Sequence, residues 1–94
     1  MNIRHDTTES KGRYSYVADG GPEAELTYSV AGDRMIIIDH TSVPDAYRGQ
    51  GIGTALIARA VADMRADGKR VLPLCPYAAA QFRRHPDWHD VLLA

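Results

Sequence analysis

The sequence contains a single cysteine, Cys75, among 94 residues, so no intrachain disulfide can form and no cysteine cluster can hold zinc. That scarcity suits a reducing compartment, and the expectation is a cytoplasmic protein. Long apolar runs are missing too. The longest aliphatic stretch, residues 35–38, is far too short to cross a bilayer. Residues 1–11 carry both charge signs and no apolar segment, which argues against a signal peptide and reads as a flexible start or leading turn. Excess charge of one sign is absent as well: 11 Lys and Arg stand against 12 Asp and Glu, a formal net charge of -1. Bulk attraction to nucleic acid or to an anionic membrane is thereby excluded, and neither is expected as a partner. No repeat, low-complexity tract or domain linker interrupts the chain.

What is present reads as one small globular domain spanning residues 1–94, with 45% hydrophobic and 24% charged residues. Residues 13–18 are aromatic and β-branched, and the turn cluster Asp19-Gly20-Gly21-Pro22 closes them off. Residues 23–30 alternate: Ala24, Leu26, Tyr28 and Val30 face one way, Glu23, Glu25, Thr27 and Ser29 the other. Period two over that length predicts a half-buried strand. Ala31-Gly32-Asp33 turns the chain into a third strand over residues 35–43, which completes an antiparallel three-strand meander.

The period then changes. From Gly51 to Asp67, Ile52, Leu56, Ala60 and Met64 recur every four residues, with Ile57 and Val61 widening the stripe, so a helix is expected. Gly68 supplies its C-terminal cap, and the apolar run Val71-Leu72-Pro73-Leu74 follows as a buried strand. A strand, a crossover helix and a second strand make a parallel pair. Pro76 can open another helix, continuing to His85 before Pro86 ends it. The fold class is therefore α/β of the α+β kind, a mixed sheet with a meander, a parallel strand–helix–strand unit and a C-terminal helix. Trp88, Val91, Leu92 and Leu93 in the tail are expected to dock on it.

Three glycines at alternate positions, Gly49, Gly51 and Gly53, lie between the third strand and the first helix. Without Cβ atoms they let the backbone turn sharply and come close to a ligand. The first N–H groups of the helix have no partner within it, and a pyrophosphate fits that geometry. Arg48 stands ready to add a charge-assisted contact. The competing reading is a tight turn whose glycines only permit close packing. The dinucleotide pattern Gly-x-Gly-x-x-Gly fails, because Thr54 stands where its last glycine belongs. The P-loop fails for want of Gly-Lys-Ser/Thr. What remains is Arg/Gln-x-x-Gly-x-Gly/Ala, met by Arg48, Gly51 and Gly53.

That pattern is similar to the coenzyme A pyrophosphate loop of the GNAT superfamily of N-acetyltransferases. His40-Thr41-Ser42-Val43-Pro44 leads to Tyr47-Arg48-Gly49-Gln50-Gly51-Ile52-Gly53, then Pro73-Leu74-Cys75-Pro76-Tyr77 precedes a helix ending His85-Pro86-Asp87-Trp88. Together these resemble the short GNAT family of about one hundred residues with Cys-Pro-Tyr and His-Pro-acidic-aromatic motifs. The likeness covers residues 12–92. It implies a minimal GNAT fold in which the parallel strands splay, here between Ser42-Val43 and Leu74-Cys75, to admit the pantetheine arm. It further implies acetyl-CoA as cosubstrate, bound by Ser42, Val43, Arg48, Gly49, Gln50, Gly51, Ile52, Gly53, Thr54, Cys75, Tyr77 and Arg84. No metal is implied. The helices that shape the acceptor site in larger relatives have no room in this chain.

Acetyl transfer to an amine needs a base, a polarised thioester carbonyl and a proton for the leaving thiolate. His40 and Cys75 lie near the ends of the two parallel strands, so both can approach one crevice. His40 reads as the base or as a hydrogen-bonded strand-end residue. Cys75, just before a helix, reads as a thiolate that accepts the acetyl group or as an inert packing residue. Tyr77 is the acid that the resemblance implies, or a packing residue at a helix start. Arg83, Arg84 and His85 form a basic cluster that either meets the 3′-phosphate end of coenzyme A or is a solvated face. Trp88 reads as core, while His5 and His89 take no role.

The leading expectation is an acetyl-CoA-dependent N-acetyltransferase acting on an amine of a small molecule or a protein. A catalytically weak coenzyme A-binding sensor is the alternative, and a small interaction protein with an idle glycine turn is the third reading. The oligomeric expectation is a monomer or a weak homodimer.

Overall fold

Alternation decides the sheet. Along Glu23–Ala31 the side chains of Ala24, Leu26 and Tyr28 are buried and their neighbours are not, the signature of a strand with one face on a core. The computed structural model describes residues 1–93. Its strands are β1 (Arg4–Thr7), β2 (Lys11–Val17), β3 (Glu23–Ala31), β4 (Met35–Ser42) and β5 (Arg70–Pro73), in the spatial order of the sequence. Pairing is antiparallel from β1 to β4 and parallel between β4 and β5. The mixed sheet expected from the sequence is therefore the one the chain builds.

Helix α1 (Ile52–Asp67) makes the crossover from β4 to β5 and packs on β2, β3 and β5. It buries Ile52, Leu56, Ile57, Ala60, Val61 and Met64 against Tyr14, Leu26, Tyr28, Ile36 and Ile38. Residues between these on the strands, such as Arg13, Thr27 and Ser29, point away from α1 and remain half-buried. Helix α2 (Pro76–Arg84) starts on Pro76 and ends at His85. No helix among the described residues is long and apolar enough to cross a membrane.

The meander has one strand more than the sequence suggested. Residues 4–7, inside the segment expected to be flexible, form β1 and pair with β2. The cause is His5. Its ring stacks on Tyr14 at 4.0 Å between centroids, 9° from parallel, and shares a 2.8 Å hydrogen bond with the Tyr28 hydroxyl. A single polar strand of four residues gives little periodicity to read, and the aromatic contacts that hold it are long-range.

The tail docks through Trp88, Val91 and Leu92 as expected, while the Leu93 side chain stays exposed, and polar contacts add to the apolar ones. Arg65 of α1 donates to both carboxylate oxygens of Asp90 at 2.7 Å and to the Asp87 carbonyl at 2.9 Å. Val71 N–H donates to the Val91 carbonyl at 2.7 Å and Leu93 N–H to the Val71 carbonyl at 2.8 Å, which covers the outer edge of β5. His85 stacks on Trp88 at 3.9 Å and meets the Gln81 carbonyl, while His89 meets the Phe82 carbonyl at 2.8 Å. Both imidazoles thus meet carbonyls in the last turn of α2, where the Phe82 carbonyl also accepts the His85 N–H at 3.3 Å.

The Tyr14 hydroxyl, buried under His5, donates to Asp63 at 2.8 Å. Burial, then the hydrogen bond and charge of Asp63, push its ionisation far above the ordinary value of 10.0. An unfolded Tyr14 ionises near that pH while the folded one keeps its proton. Its contribution is therefore intact below about pH 10 and is lost as the pH rises further. Tyr14→Phe is expected to cost about 1 kcal/mol in urea unfolding at neutral pH and to flatten the alkaline decline of stability. An unchanged alkaline slope in the variant would contradict this assignment.

Candidate active site

The chain leaves β4 through Pro44 and a single 3₁₀ turn, Asp45–Tyr47. Tyr47 anchors that turn. Its hydroxyl donates to the Pro22 carbonyl at 2.6 Å and accepts from the Ala18 N–H at 2.9 Å, while its ring meets Tyr16 edge-on. The loop that follows is thus fixed to the β2–β3 turn. Gly49 and Gly51 take φ values of 77° and 72°, the left-handed region that other residues enter at a cost of about 1 kcal/mol or more. Space is open around the position of either missing Cβ, so the glycines are required by backbone conformation and leave the loop surface accessible.

The first helical hydrogen bond of α1 runs from Ala55 N–H to the Gly51 carbonyl at 3.0 Å. The N–H groups of Ile52, Gly53 and Thr54 therefore lack intrahelical partners and add the positive end of the helix dipole. Arg48 is exposed beside them and forms a 3.1 Å ion pair with Asp45. Both side chains are in solvent, where such a pair is weak and yields readily to a phosphate. The Gln50 amide donates to the Ala46 carbonyl at 3.3 Å and so braces the loop from within.

Gly53 has a different reason to lack a side chain. A Cβ there would overlap the Tyr77 hydroxyl and lie 2.8 Å from Tyr77 Cζ. The first turn of α1 and the first turn of α2 thus meet through Gly53 and Tyr77, and Tyr77 remains partly exposed above the contact. Next to it the Thr54 hydroxyl donates to Gln81 Oε1 at 3.1 Å. Gln81 is buried, and no sequence pattern marked it; only its spacing of four residues from Tyr77 on one helix face could have done so. Arg84, one turn beyond Gln81 on α2, is exposed.

Between β4 and β5 the parallel ladder stops at Ile38 opposite Pro73. Pro73 has no N–H with which to extend it. One more bond follows, from Cys75 N–H to the Ile38 carbonyl at 3.2 Å, and the chain then turns into α2. Thr41 and Ser42 of β4 have no partner residues on β5. The edge of β4 that faces α2 is thereby open over these residues, with Val43 half-buried behind it. Cys75 lies at this opening, buried, with Sγ 3.7 Å from Thr41 Oγ1. The thiol donates to Thr41 Oγ1; burial pushes its ionisation up, but the Ala78 N–H, the Thr41 hydroxyl and the Tyr77 N–H near the sulfur favour the thiolate, outweigh that and hold it below the ordinary value. Thr41, another residue the motifs did not single out, is thus the side-chain partner of the thiol.

His40 is placed otherwise than its position near a strand end suggested. A bulge between Tyr28 and Thr27 of β3 sets His40 opposite Thr27 and leaves Asp39 as the extra residue of β4. Asp39 bonds to Ser29 at 2.8 Å, and Ser29 and Thr27 share the sheet face away from α1. Asp39 and His40 therefore both stand on that face, exposed, while Thr41 returns to the side of Leu26 and Cys75. The structure brings Cys75, Thr41, Tyr77 and Gly53 together and puts His40 across the sheet from them. A bulge changes the phase of a strand by one residue, and nothing in the local sequence announces it.

Thr41→Val removes a donor to the sulfur and leaves the shape of the site intact. The Cys75 thiol is expected to shift up toward its ordinary value in this variant, read from thiolate absorbance at 240 nm against pH. A titration identical to that of the wild type would show that Thr41 does not act on the sulfur.

Comparison with known proteins agrees with this geometry. A family model described as GCN5-related N-acetyl-transferase matches residues 13–91. Protein NATD1 of Mus musculus is 33% identical over 87 residues, which cover 92% of this chain and 77% of the mouse protein. Protein NATD1 of Bos taurus is 35% identical over 63 residues, 67% of this chain, and the match spans 56% of the bovine protein. The solution NMR structure of a GCN5-like protein from Staphylococcus aureus has a TM-score of 0.73 at 28% identity, covering 99% of this chain and 90% of that one. With the match running through both the glycine loop and the Cys-Pro-Tyr segment, the chain belongs to the GCN5-related N-acetyltransferase family.

Proposed function

We propose that this protein transfers the acetyl group of acetyl-CoA to a primary amine. The observation that carries the proposal is the juxtaposition of two open backbone surfaces: the free N–H groups of Ile52, Gly53 and Thr54, and the unpaired edge of β4 at Thr41 and Ser42. The first suits a pyrophosphate, the second an amide-bearing arm that pairs like an added strand. Family membership raises the weight of both.

In this reading Gly49, Gln50 and Gly51 shape the phosphate loop and Arg48 leaves Asp45 to contact a phosphate. Arg84 takes the 3′-phosphate end. Ser42 and Val43 present backbone groups to the pantetheine arm, which leads past Tyr77 toward Cys75. His40 takes the proton of the attacking amine from the opposite face of the sheet. The amine nitrogen bonds to the acetyl carbon, the carbon–sulfur bond breaks, and Tyr77 returns a proton to the departing thiolate. The amide product and free coenzyme A leave.

A second route is favoured by the depressed Cys75 thiol. The Cys75 sulfur accepts the acetyl group from coenzyme A and then yields it to the amine, with coenzyme A thiolate released in the first step. Intact-protein mass spectrometry after incubation with acetyl-CoA separates the two routes. An added acetyl group that is absent from Cys75→Ala and is lost on adding amine supports the cysteine route; unimpaired transfer by Cys75→Ala leaves direct transfer.

Calorimetric titration tests the ligand itself. Acetyl-CoA and coenzyme A are expected to bind, Arg48→Ala to weaken both about three- to tenfold, the worth of one charge-assisted contact, and Arg84→Ala to weaken coenzyme A but not 3′-dephospho-coenzyme A. No binding at high micromolar ligand would overturn the proposal. Release of free thiol with a panel of amines then distinguishes an enzyme from a coenzyme A sensor.

A further inference from the structure

The sheet face that carries Asp39 and His40 also holds a cavity of ≈ 520 Å³, a size suited to a small-molecule ligand. Asp6, Lys11, Arg13, Thr27, Ser29 and Asp39 line it. Two of its four charges are already paired. Asp6 is paired with Arg4 at 3.0 Å, and Arg13 with Glu23 and with Glu25. Two are not. Among the described residues Lys11 has no carboxylate within ion-pair distance, and Asp39 meets no cation, only the hydroxyl of Ser29.

These two free charges are opposite in sign and flank one residue. Lys11 is the register partner of Ser29 on β2, and Asp39 reaches Ser29 from β4. Their backbones are thus two strand spacings apart, about 10 Å, with a flexible lysine able to shorten the gap. The bulge in β4 is what aims Asp39 into this cavity and sets His40 beside it on the same face. An ammonium group on Asp39 would therefore lie next to the imidazole.

We infer that this cavity is the acceptor site and that it takes a zwitterionic amine, a molecule bearing both an ammonium and a carboxylate group. Asp39 binds the ammonium and Lys11 the carboxylate, while the hydroxyls of Thr27 and Ser29 line the floor between them. A monocation lacks the second anchor and a polyamine meets Lys11 as a like charge, so both are discriminated against. The inference rests on the acetyl-transfer reading only for the fate of the amine; the binding itself requires no coenzyme A.

The test uses three probes of one length: 6-aminohexanoate, 1-aminohexane and hexanoate, titrated into the ¹⁵N-labelled protein. The expected result is that 6-aminohexanoate binds at least tenfold more tightly than either single-charge probe and shifts the amides of Lys11, Thr27, Ser29 and Asp39. Asp39→Asn should reduce its affinity to that of hexanoate, and Lys11→Met to that of 1-aminohexane. Both side chains are exposed, so neither change threatens the fold. Equal affinity for the three probes, shifts confined to other surfaces, or no binding would overturn the inference. A parallel titration with acetyl-CoA keeps the failures apart: acetyl-CoA binding without 6-aminohexanoate binding sinks the acceptor assignment alone, and the converse sinks the acetyl-transfer reading while leaving a site for a zwitterionic amine that is not an acceptor.

Discussion

The bond from Cys75 N–H to the Ile38 carbonyl is the last one between β4 and β5, and the rest of the site depends on where that ladder stops. Up to Ile38 the two strands are held as any parallel pair is held. Beyond it Pro73 has nothing to donate and the chain is drawn into α2. Backbone groups of β4 that would otherwise be satisfied by β5 are left for another partner. A sheet interior rarely tolerates such a gap, because unpaired buried N–H and C=O groups are costly. Here the gap adjoins the start of α1, where three more N–H groups are free. Two sets of unsatisfied donors and acceptors lie side by side, and a molecule with a pyrophosphate at one point and amides at another answers both.

Holding this opening in shape falls to residues outside it. Tyr47 ties the glycine loop to the β2–β3 turn through two hydrogen bonds of its hydroxyl. Gly53 lets Tyr77 close onto α1, and the hydrogen bond from half-buried Thr54 to buried Gln81 fixes the spacing of the two helices. Arg65 binds the tail to α1 and the tail covers β5, so the strand that ends at the opening is not itself a free edge. In a chain of 94 residues with a thin core, these polar ties do work that larger proteins give to additional helices.

Much of this was legible in the sequence, for a physical reason. The alternation from Glu23 to Val30 and the four-residue recurrence from Ile52 to Met64 are local consequences of burying one face, so they read directly as strand and helix. The glycine loop was legible because positive φ at Gly49 and Gly51 admits few other residues. What could not be read were features set by contacts distant in sequence. Strand β1 exists because His5 finds Tyr14 and Tyr28. The bulge at Asp39 shows only in the pairing of β4 with β3, and it puts His40 on the face opposite Cys75. Thr41 and Gln81 are ordinary residues by composition; only folding places one beside a thiol and the other against Thr54 at the start of α1.

A ¹H–¹⁵N titration with coenzyme A tests the central claim, that one ligand engages both open backbone surfaces. The account expects the amides of Ile52, Gly53 and Thr54 to move together with those of Thr41, Ser42 and Val43, at a single affinity. Movement at the α1 amides without any at β4, or no movement at either, would contradict it.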